Sequence, residues 1–418
     1  MTPNWPQMPI TDVAEMIDCV NRTAPTVPGP TPFRMIRTTN VKGGRLELTE
    51  TKYATEDVYR RWTRRGAPQI GDVLLTREAP LGEVAMVKTR DQSFLGQRIV
   101  QYRAHPATLD ARFLLYSLLG DEFRAQVHGA GSGATVEHAR LEDCRKFLIR
   151  VPPLPVQRKI ATILSTYDDL IENNNHRIAI LEEMARMIYQ EWFTHFRFPA
   201  HDRTTLTESR QGSIPSGWRL VKLEEVAAVN ARSIKPGAEP DVIRYVDIAS
   251  VAPGCPIESR EMSFNEAPGR ARRLVNHGDI VWSSVRPNLK SFFLVLNPPT
   301  NLVVSTGFAV IEPRDCPFSF LYCALTTEDF IGYLVNRARG SAYPAVTGRD
   351  FEDADILLPP APLLQSFHQI VADHLLQKQH LRQINENLRT TRDLLLPRLL
   401  SGEIDTSQLD IDTGEMAA

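Results

Sequence analysis

Several signatures of catalytic, metal-binding and membrane proteins are missing from this sequence of 418 residues. Its five cysteines form no C-x-x-C pair, so neither a zinc site nor a redox motif is predicted, and we interpret them as reduced thiols. It has no run of about eighteen apolar residues, the length that crosses a membrane. It opens without a basic stretch followed by an apolar run, and we therefore expect a cytoplasmic protein.

Nucleotide and cofactor motifs are also absent. There is no G-x-x-x-x-G-K-[ST] loop, and no G-x-G-x-x-G pattern follows a predicted strand. The segment Asn297-Pro298-Pro299-Thr300 resembles the Asn-Pro-Pro-aromatic motif of amino-methyltransferases, but it lacks the aromatic ring that stacks on a flipped base. A proline-rich turn after a strand is the preferred interpretation. We therefore predict no catalytic residue, no metal and no cofactor in this chain.

The overall charge is close to neutral. A formal net charge of −2 excludes a uniformly basic protein of the histone type. Any contact with nucleic acid must therefore come from local patches of basic residues.

The most informative feature is an internal repeat with an offset of about 207 residues. Several landmarks in the same order at nearly one offset indicate two copies of one unit. The matching landmarks are Trp5 and Trp218, Gly71-Asp72-Val73 and Gly278-Asp279-Ile280, Gly131-Ser132 and Gly340-Ser341, and Pro152-Pro153 and Pro359-Pro360.

Each copy begins with short β-type runs broken by Gly and Pro, which predicts a β-rich α+β globule. Paired prolines then end the globule, and a long helical pattern follows. The β-type runs are 70–75, 83–87, 99–102, 280–284, 292–296 and 308–311. The predicted domains are globules at 1–151 and 218–358, long helices at 152–198 and 359–402, a linker at 199–217 and a flexible tail at 403–418.

Both helical segments have heptad spacing, with alternating steps of four and three residues. Such spacing places one narrow stripe on each helix, as in a coiled-coil seam, and we expect the two helices to pair antiparallel. Two unrelated amphipathic helices remain an alternative. The first stripe is Ile160, Leu164, Tyr167, Ile171, Asn174, Ile178, Leu181, Ala185, Ile188 and Trp192. The second stripe is Ile370, His374, Gln377, Leu381, Ile384, Leu388, Thr391 and Leu395.

The first globule contains a local excess of basic residues. Between Phe33 and Arg103 there are fourteen lysines and arginines and eight aspartates and glutamates, a surplus of six. Such a patch is typical of proteins that contact phosphates, although a solvated helix face is an alternative for each arginine. The candidate DNA-binding residues are Arg60, Arg61, Arg64, Arg65, Arg77 and Arg98.

The second globule is less basic, with eight basic and seven acidic residues between Asp241 and Arg314. Arg77 and Arg286 each follow a Gly-Asp strand, and we interpret them as equivalent. An arginine on a tight loop can present its planar donor fork to guanine or to a phosphate. The candidate residues here are Arg270, Arg272, Arg273, Arg286 and Lys290.

Four segments resemble those that surround the target-recognition domains in specificity subunits of type I restriction-modification enzymes. The resemblance covers nearly the whole chain. The two copies differ where their helices begin, because the first helix begins with VQRKI and the second with LLQSFH. The segments are PPLPVQRKIA (152–161), YDDLIENNNHRIAILEEMARMIYQEWF (167–193), IPSGWRLVKLEEVA (214–227) and RDLLLPRLLSGEI (392–404).

The resemblance implies two target-recognition domains, separated by an antiparallel two-helix coiled coil, that each read half of a bipartite DNA site. It also implies two methyltransferase subunits, which supply S-adenosylmethionine and pack on the two stripes, and restriction-translocase subunits that join them. The glycine-serine loops are then expected near DNA, which adds the candidates Ser132, Thr135, Ser341 and Tyr343. A coiled-coil scaffold that binds only proteins is the main alternative, and an enzyme is a third.

If the two helices set the distance between the reading domains, deleting one heptad from each should shorten the unread gap in the target. Both half-sites should stay unchanged, because the globules are untouched. Methylation mapping of the variant complex measures both quantities. An altered half-site with the original gap would contradict this expectation.

Overall fold

The computed structural model describes residues 5–131, 137–210, 212–256, 258–407 and 409–412. The chain divides into two compact units: the first is Met1–Asn173 with Asn385–Ala418, and the second is Asn174–Ile384. Each unit contains one β-rich globule and a part of both long helices. The predicted α+β class with an internal repeat is confirmed.

The first globule consists of short strands and short helices, followed by the first long helix. The strands are β1 (Gln7–Pro9), β2 (Ala14–Asp18), β3 (Arg34–Ile36), β4 (Val41–Lys42), β5 (Arg45–Leu46), β6 (Lys52–Tyr53), β7 (Val73–Arg77), β8 (Leu81–Met86), β9 (Ser93–Leu95), β10 (Ile99–Ala104) and β11 (Leu148–Arg150). The helices are α1 (Ile10–Val13), α2 (Glu56–Trp62), α3 (Ala111–Leu119), α4 (Asp121–Gly129), α5 (Leu141–Lys146) and the long α6 (Leu154–Tyr189).

The second globule has a similar order of elements and is followed by the second long helix. The strands are β12 (Leu206–Ser209), β13 (Gly212–Pro215), β14 (Arg219–Lys222), β15 (Ala227–Val229), β16 (Val242–Val246), β17 (Val251–Ala252), β18 (Cys255–Pro256), β19 (Arg260–Ser263), β20 (Ala271–Leu274), β21 (Ile280–Ser283), β22 (Phe292–Leu294), β23 (Leu302–Ser305), β24 (Phe308–Pro313) and β25 (Asp355–Leu358). The helices are α7 (Leu223–Val226), α8 (Phe318–Ala324), α9 (Glu328–Arg337), α10 (Gly348–Glu352) and the long α11 (Ala361–Leu400).

The repeat extends to the sheet topology. Each unit has a central antiparallel sheet, with the order β2-β10-β7-β8 in the first and β15-β24-β21-β22 in the second. A second sheet contains a parallel pair in both units, β3 with β9 and β16 with β23. The two globules are therefore two copies of one fold.

The central sheet is buried on both faces because its middle strands carry apolar side chains on both faces. In β7, Val73 and Leu75 pack against Phe113 of α3, and Leu74 packs on the opposite face against Ile36. This alternation follows from the two-residue period of a strand. In β21, Ile280 and Trp282 face one core and Val281 faces another.

The repeated Gly-Asp pair marks the turn that enters the middle strand. Gly71 and Gly278 have φ values of +90° and +89°, a region that favours glycine. The next residue closes the turn, since the Asp72 and Asp279 carboxylates accept the backbone N–H groups of Gln69 and Asn276 at 2.7 Å. This turn explains why the pair recurs in the sequence.

The two long helices pack against each other within each unit. In the first unit, Ile160 and Leu164 of α6 lie in one apolar cluster with Leu399, near the end of α11. In the second unit, Ala185 of α6 lies in a cluster with Phe367 and other residues from the beginning of α11. The helices therefore run antiparallel, as predicted.

The predicted stripe of α6 is buried or half-buried at all ten positions. The predicted stripe of α11 is wrong at three of its eight positions, because Gln377 and Thr391 are exposed and Ile370 is 41% exposed. At these places the covered residue lies one position later, whereas His374, Leu381, Ile384, Leu388 and Leu395 are buried or half-buried as predicted. The corrected stripe includes Leu364, Val371, Lys378, Asn385, Arg392 and Leu399, at steps of seven.

The segment 199–217, predicted to be a linker, contains the two-stranded hairpin β12–β13. Ile214 of this hairpin belongs to the core of the second unit. At the beginning of the predicted tail, Thr406 is buried, and the Ser407 carbonyl accepts a hydrogen bond from Lys159 at 2.9 Å. Both segments are thus partly packed.

All five cysteines are unpaired. In the ranges that the structure describes, no helix combines the length and the apolar character needed to cross a membrane.

The corrected stripe predicts unequal effects for Ile370 and for Leu375, which lies one helical turn after Val371 on the covered face of α11. Leu375→Ala should lower the free energy of unfolding by about 2–5 kcal/mol, because a side chain that is 2% exposed leaves a cavity. Ile370→Ala, the matched control, should cost about 1 kcal/mol or less, since the side chain already lies partly in water. Chemical denaturation of the two variants measures this difference, and equal losses would contradict the corrected stripe.

Candidate nucleic-acid interface

Two loops meet in each globule, and we call them the paired loops. In the second unit they are residues 284–290 and 339–346, joined by backbone hydrogen bonds from Arg286 to Pro344 at 2.7 Å and from Val346 to Ser284 at 2.8 Å. In the first unit, the backbone N–H of Ala139 donates to the Arg77 carbonyl at 2.9 Å, and the backbones of Glu78 and His138 form an isolated antiparallel β-bridge. The predicted residues Ser132 and Thr135 lie outside the described residues.

The paired loops show which residues of the two copies correspond. The β-bridge between Glu78 and His138 matches the β-bridge between Val285 and Ala345. Val285 lies 207 residues after Glu78, and Ala345 lies 207 residues after His138. Arg286 therefore corresponds to Ala79, and not to Arg77 as predicted. The two equivalent residues have φ values of +50° and +51°, and each precedes a proline. The predicted equivalence was wrong by two residues because it aligned like side chains and not the backbone.

Arg77 is half-buried and holds the paired loops of the first unit together. Its Nη1 donates to the Ala139 carbonyl at 3.1 Å. Its Nε is buried and has no hydrogen-bond partner within the described ranges. The contacts of Arg77 are those of a structural residue, and its predicted role in DNA binding stays a prediction.

The paired loops of the second unit expose their side chains much more. The Arg286 guanidinium lies 4.6 Å from the ring centroid of Tyr343, which is 69% exposed, and its Nη2 donates to the Ala342 carbonyl at 3.1 Å. Ser341 is also exposed. Lys290, at the end of the same loop, forms an ion pair with Glu328 at 2.6 Å. The second unit thus places Arg286, Lys290, Ser341 and Tyr343 on one pair of loops.

The arginine cluster of the first unit lies on and just after α2. Arg60 pairs with Glu56 one helical turn away, and Arg65 pairs with Asp18. Arg61 donates to the Asp57 carbonyl at 3.2 Å. Arg64 is exposed, and no carboxylate in the described residues lies within ion-pair distance of it. Arg61 and Arg64 are therefore the members of this cluster best placed to contact a phosphate.

Ion pairs reduce the basic patch of the first unit. Arg98, for example, pairs with Glu78 at 3.1 Å and has a φ of +69°. Seven of the fourteen basic residues between Phe33 and Arg103 have an acidic partner, namely Arg34, Arg45, Arg60, Arg65, Lys88, Arg98 and Arg103. The available positive charge is thus spread over several positions.

The three clustered arginines of the second unit lie at strand β20, and each has its own partner. Arg270 donates to the Tyr245 hydroxyl at 3.1 Å, and this hydrogen bond raises the pKa of the guanidinium. The Arg272 guanidinium covers the Phe264 ring at 4.7 Å. Arg273 is half-buried, and burial lowers the pKa of its guanidinium. Among the described residues, no side-chain hydrogen bond or ion pair joins these three arginines to the paired loops.

A charged cluster ties the first globule to the long helices. Arg392 of α11 pairs with Asp168 of α6, and the Tyr116 hydroxyl donates to the same carboxylate at 2.7 Å. Burial and the nearby Asp168 charge raise the pKa of Tyr116. Arg45, in the β4–β5 hairpin, donates to the Asp168 carbonyl oxygen at 3.0 Å. The hairpin is thereby fixed to the helix pair.

The second unit has a cluster with the same role. Glu182 of α6 pairs with Lys378 at 2.9 Å and with Arg382 at 3.0 Å. Arg382 also donates to the carbonyl of Gly254, in the turn between β17 and β18, at 2.7 Å. Sequence reasoning missed both clusters: steps of seven residues place Lys378 and Arg392 on one face of α11, but they do not identify the partners on α6.

A polar cavity of about 440 Å³ in the second unit contains the buried Asp279. Arg232 donates to this carboxylate at 2.9 Å and to Glu312 at 3.0 Å. Burial outweighs the arginine and raises the pKa of Asp279 to about 6. Within the described part of the chain, no three His, Cys, Asp or Glu side chains are arranged to hold a metal ion.

Residues 63–183 match the family described as the type I restriction modification DNA specificity domain. A specificity subunit of the type I restriction enzyme MjaIX from Methanocaldococcus jannaschii is 28% identical over 85% of this chain and 82% of that protein. A putative type I restriction enzyme MjaX specificity subunit from the same organism is 24% identical over 89% of this chain and 87% of that protein.

A solved structure has a similar fold. The crystal structure of the S subunit of a type I restriction-modification system from M. genitalium matches with a TM-score of 0.60 and 16% identity, over 96% of this chain and 99% of that chain. The resemblance found in the sequence is thereby confirmed, with a family match, similar sequences and a similar fold in agreement.

The raised pKa of Asp279 predicts a specific pH dependence of stability. Its ordinary value is 3.8, so protonation favours the folded state as the pH falls through about 6, and the gain is complete below 3.8. The thermal unfolding midpoint of the wild type, relative to that of Asp279→Asn, should therefore rise between pH 7 and pH 4. The exposed Asp241→Asn is the control and should run parallel to the wild type. Parallel curves for Asp279→Asn would refute the prediction.

Proposed function

We propose that this chain is a specificity subunit of the type I restriction-modification family and that it reads a bipartite DNA target, one half with each globule. One observation carries this proposal. The same sheet and the same paired loops occur twice, with different side chains at equivalent loop positions such as Ala79 and Arg286. Two copies of one backbone with different loop chemistry suit two different half-sites, because side chains on loops read base edges.

The charge distribution supports the same proposal. Arg61 and Arg64 in the first unit and Arg286 in the second are exposed arginines without an acidic partner in the described residues. Contacts between such arginines and phosphates give an affinity for DNA that falls as the salt concentration rises. Reading of bases then adds specificity to that affinity.

We further propose that two methyltransferase subunits dock on the helices and supply S-adenosylmethionine, while this chain binds no cofactor. Ile180, Met184 and Met187 of α6 are exposed at helical spacing, away from the buried stripe. An exposed apolar stripe of this kind favours a protein partner. Restriction-translocase subunits would join this assembly, which would act on DNA in the cytoplasm.

A scaffold that binds only proteins is the second candidate. The exposed stripe of α6 favours it as well. It does not explain why Arg286 and Tyr343 form an exposed stack on the paired loops. DNA affinity that declines with salt distinguishes the two candidates, since a scaffold has none.

The decisive experiment is coexpression of this chain with a methyltransferase subunit of its own system, followed by genome-wide mapping of adenine methylation. We expect one motif with two specific halves and an unread gap. The methyltransferase subunit expressed alone is the control and should leave no such motif. Methylation without a motif, or with one continuous motif, would contradict the proposal.

A further inference from the structure

Arg286 has a backbone conformation that is uncommon for a residue with a side chain. Its φ of +50° lies in the left-handed region, which disfavours residues other than glycine. The equivalent Ala79 has a similar φ of +51° and also precedes a proline, so a positive φ at this position does not require an arginine. The arginine at this position therefore needs an explanation outside the local fold.

Two contacts restrict the guanidinium of Arg286. Its Cζ lies over the Tyr343 ring, 4.6 Å from the ring centroid, and its Nη2 donates to the Ala342 carbonyl at 3.1 Å. A guanidinium has five N–H donors, so this contact leaves most of them available. The stack and the hydrogen bond reduce the freedom that the side chain would lose on binding a ligand.

The charge of Arg286 is not neutralised within its loop. Nearby Lys290 pairs with Glu328, and Arg270 lies 3.5 Å from Asp247, but no carboxylate in the described residues comes within 4.0 Å of Arg286. Tyr343 is 69% exposed, and Leu289 of the same loop is 55% exposed. A restrained arginine beside exposed apolar side chains is suited to a ligand that offers two hydrogen-bond acceptors and the flat face of a ring.

We propose that Arg286 reads one guanine in the half-site of the second globule, by donating two hydrogen bonds to O6 and N7 in the major groove. Tyr343 is the positioning residue that holds the plane of the fork. This inference rests on the proposed function. In the first globule, the equivalent residue is Ala79, which cannot donate hydrogen bonds from its side chain to a base.

A base contact is favoured over a phosphate contact because of the way the side chain is held. A phosphate can also accept two hydrogen bonds from an arginine fork, but its oxygens point in several directions, so a phosphate contact does not depend on one preset plane. The paired acceptors of guanine require a planar fork at one angle. The stack on Tyr343 provides such an orientation.

The first test uses the complex with its methyltransferase subunits and duplexes in which each base pair of the second half-site is changed in turn. In Arg286→Ala, discrimination should fall about 10- to 100-fold at one guanine and stay unchanged elsewhere, including the first half-site. Arg219→Ala, an exposed arginine on β14 of the same unit, is the matched control and should leave the pattern unaltered. Equal loss at every sequence would overturn the proposal in favour of a phosphate contact.

The second test changes the DNA atom and keeps the protein intact. A duplex with 7-deazaguanine at that position lacks the N7 acceptor. The wild-type complex should bind it about tenfold or more weakly than the normal duplex, because one bond of the pair is lost. Arg286→Ala should bind both duplexes equally. Equal affinity of the wild type for the two duplexes would overturn the proposal.

Conservative variants test the planar shape of the guanidinium separately from its positive charge, and they are less prone to misfold than alanine variants. Arg286→Lys keeps the charge and should still lose the discrimination. Tyr343→Phe keeps the ring and should retain it, whereas Tyr343→Ala should lose part of it. Retained discrimination in Arg286→Lys would overturn the proposal. A bipartite motif that is unchanged by every variant would refute this inference alone, whereas no motif in the wild type would refute the proposed function itself.

Discussion

Burial of one narrow stripe on each long helix is the constraint on which the rest of this structure depends. A helix of 36 or 40 residues with a single apolar stripe is not stable alone in water, because that stripe must be covered. Each unit covers its part of the stripe with the other helix and with its own globule. Since each core includes both helices, the long helices belong to the folded units and are not separate rods.

Charged residues on this covered face set the geometry between helix and globule. The Asp168 cluster and the Glu182 cluster each join the two helices and also reach a hairpin of the globule, through Arg45 and the Gly254 carbonyl. A half-buried charge requires defined partners, so it tolerates fewer arrangements than apolar contact does. The clusters therefore fix the register of the helix pair and the position of the globule in each unit together.

The two globules show how one backbone accommodates different chemistry. Both have a buried aspartate after the Gly-Asp turn, but Asp72 accepts from Arg103 of the neighbouring strand β10, whereas Asp279 accepts from Arg232. The arginine thus comes from a different place in each copy, while the turn and the sheet order stay the same. The paired loops vary in the same way, with Ala79 in one copy and Arg286 in the other. The backbone of the two copies is thus kept while the side chains on it differ.

Much of the fold could be predicted because its signals are local. Apolar runs such as 99–102 and 308–311 predicted the middle strands, and heptad spacing predicted the stripe of α6. The stripe of α11 was wrong at Gln377 and Thr391 because the covered residues there are their charged neighbours, Lys378 and Arg392. Lys378 is buried there only because Glu182 and the Tyr322 ring contact it, and a sequence pattern does not contain such partners.

The sequence by itself determined the two copies, the strand-rich globules and the two long helices. Repeats, periodicity and proline positions are all visible in the order of residues along the chain. Only the tertiary structure decided that Arg286 corresponds to Ala79, that Arg77 ties two loops together and that Arg286 stacks on Tyr343. The reason is physical: the exposure and direction of an arginine depend on carbonyls, carboxylates and rings that lie tens of residues away along the chain. Those partners meet only when the chain folds.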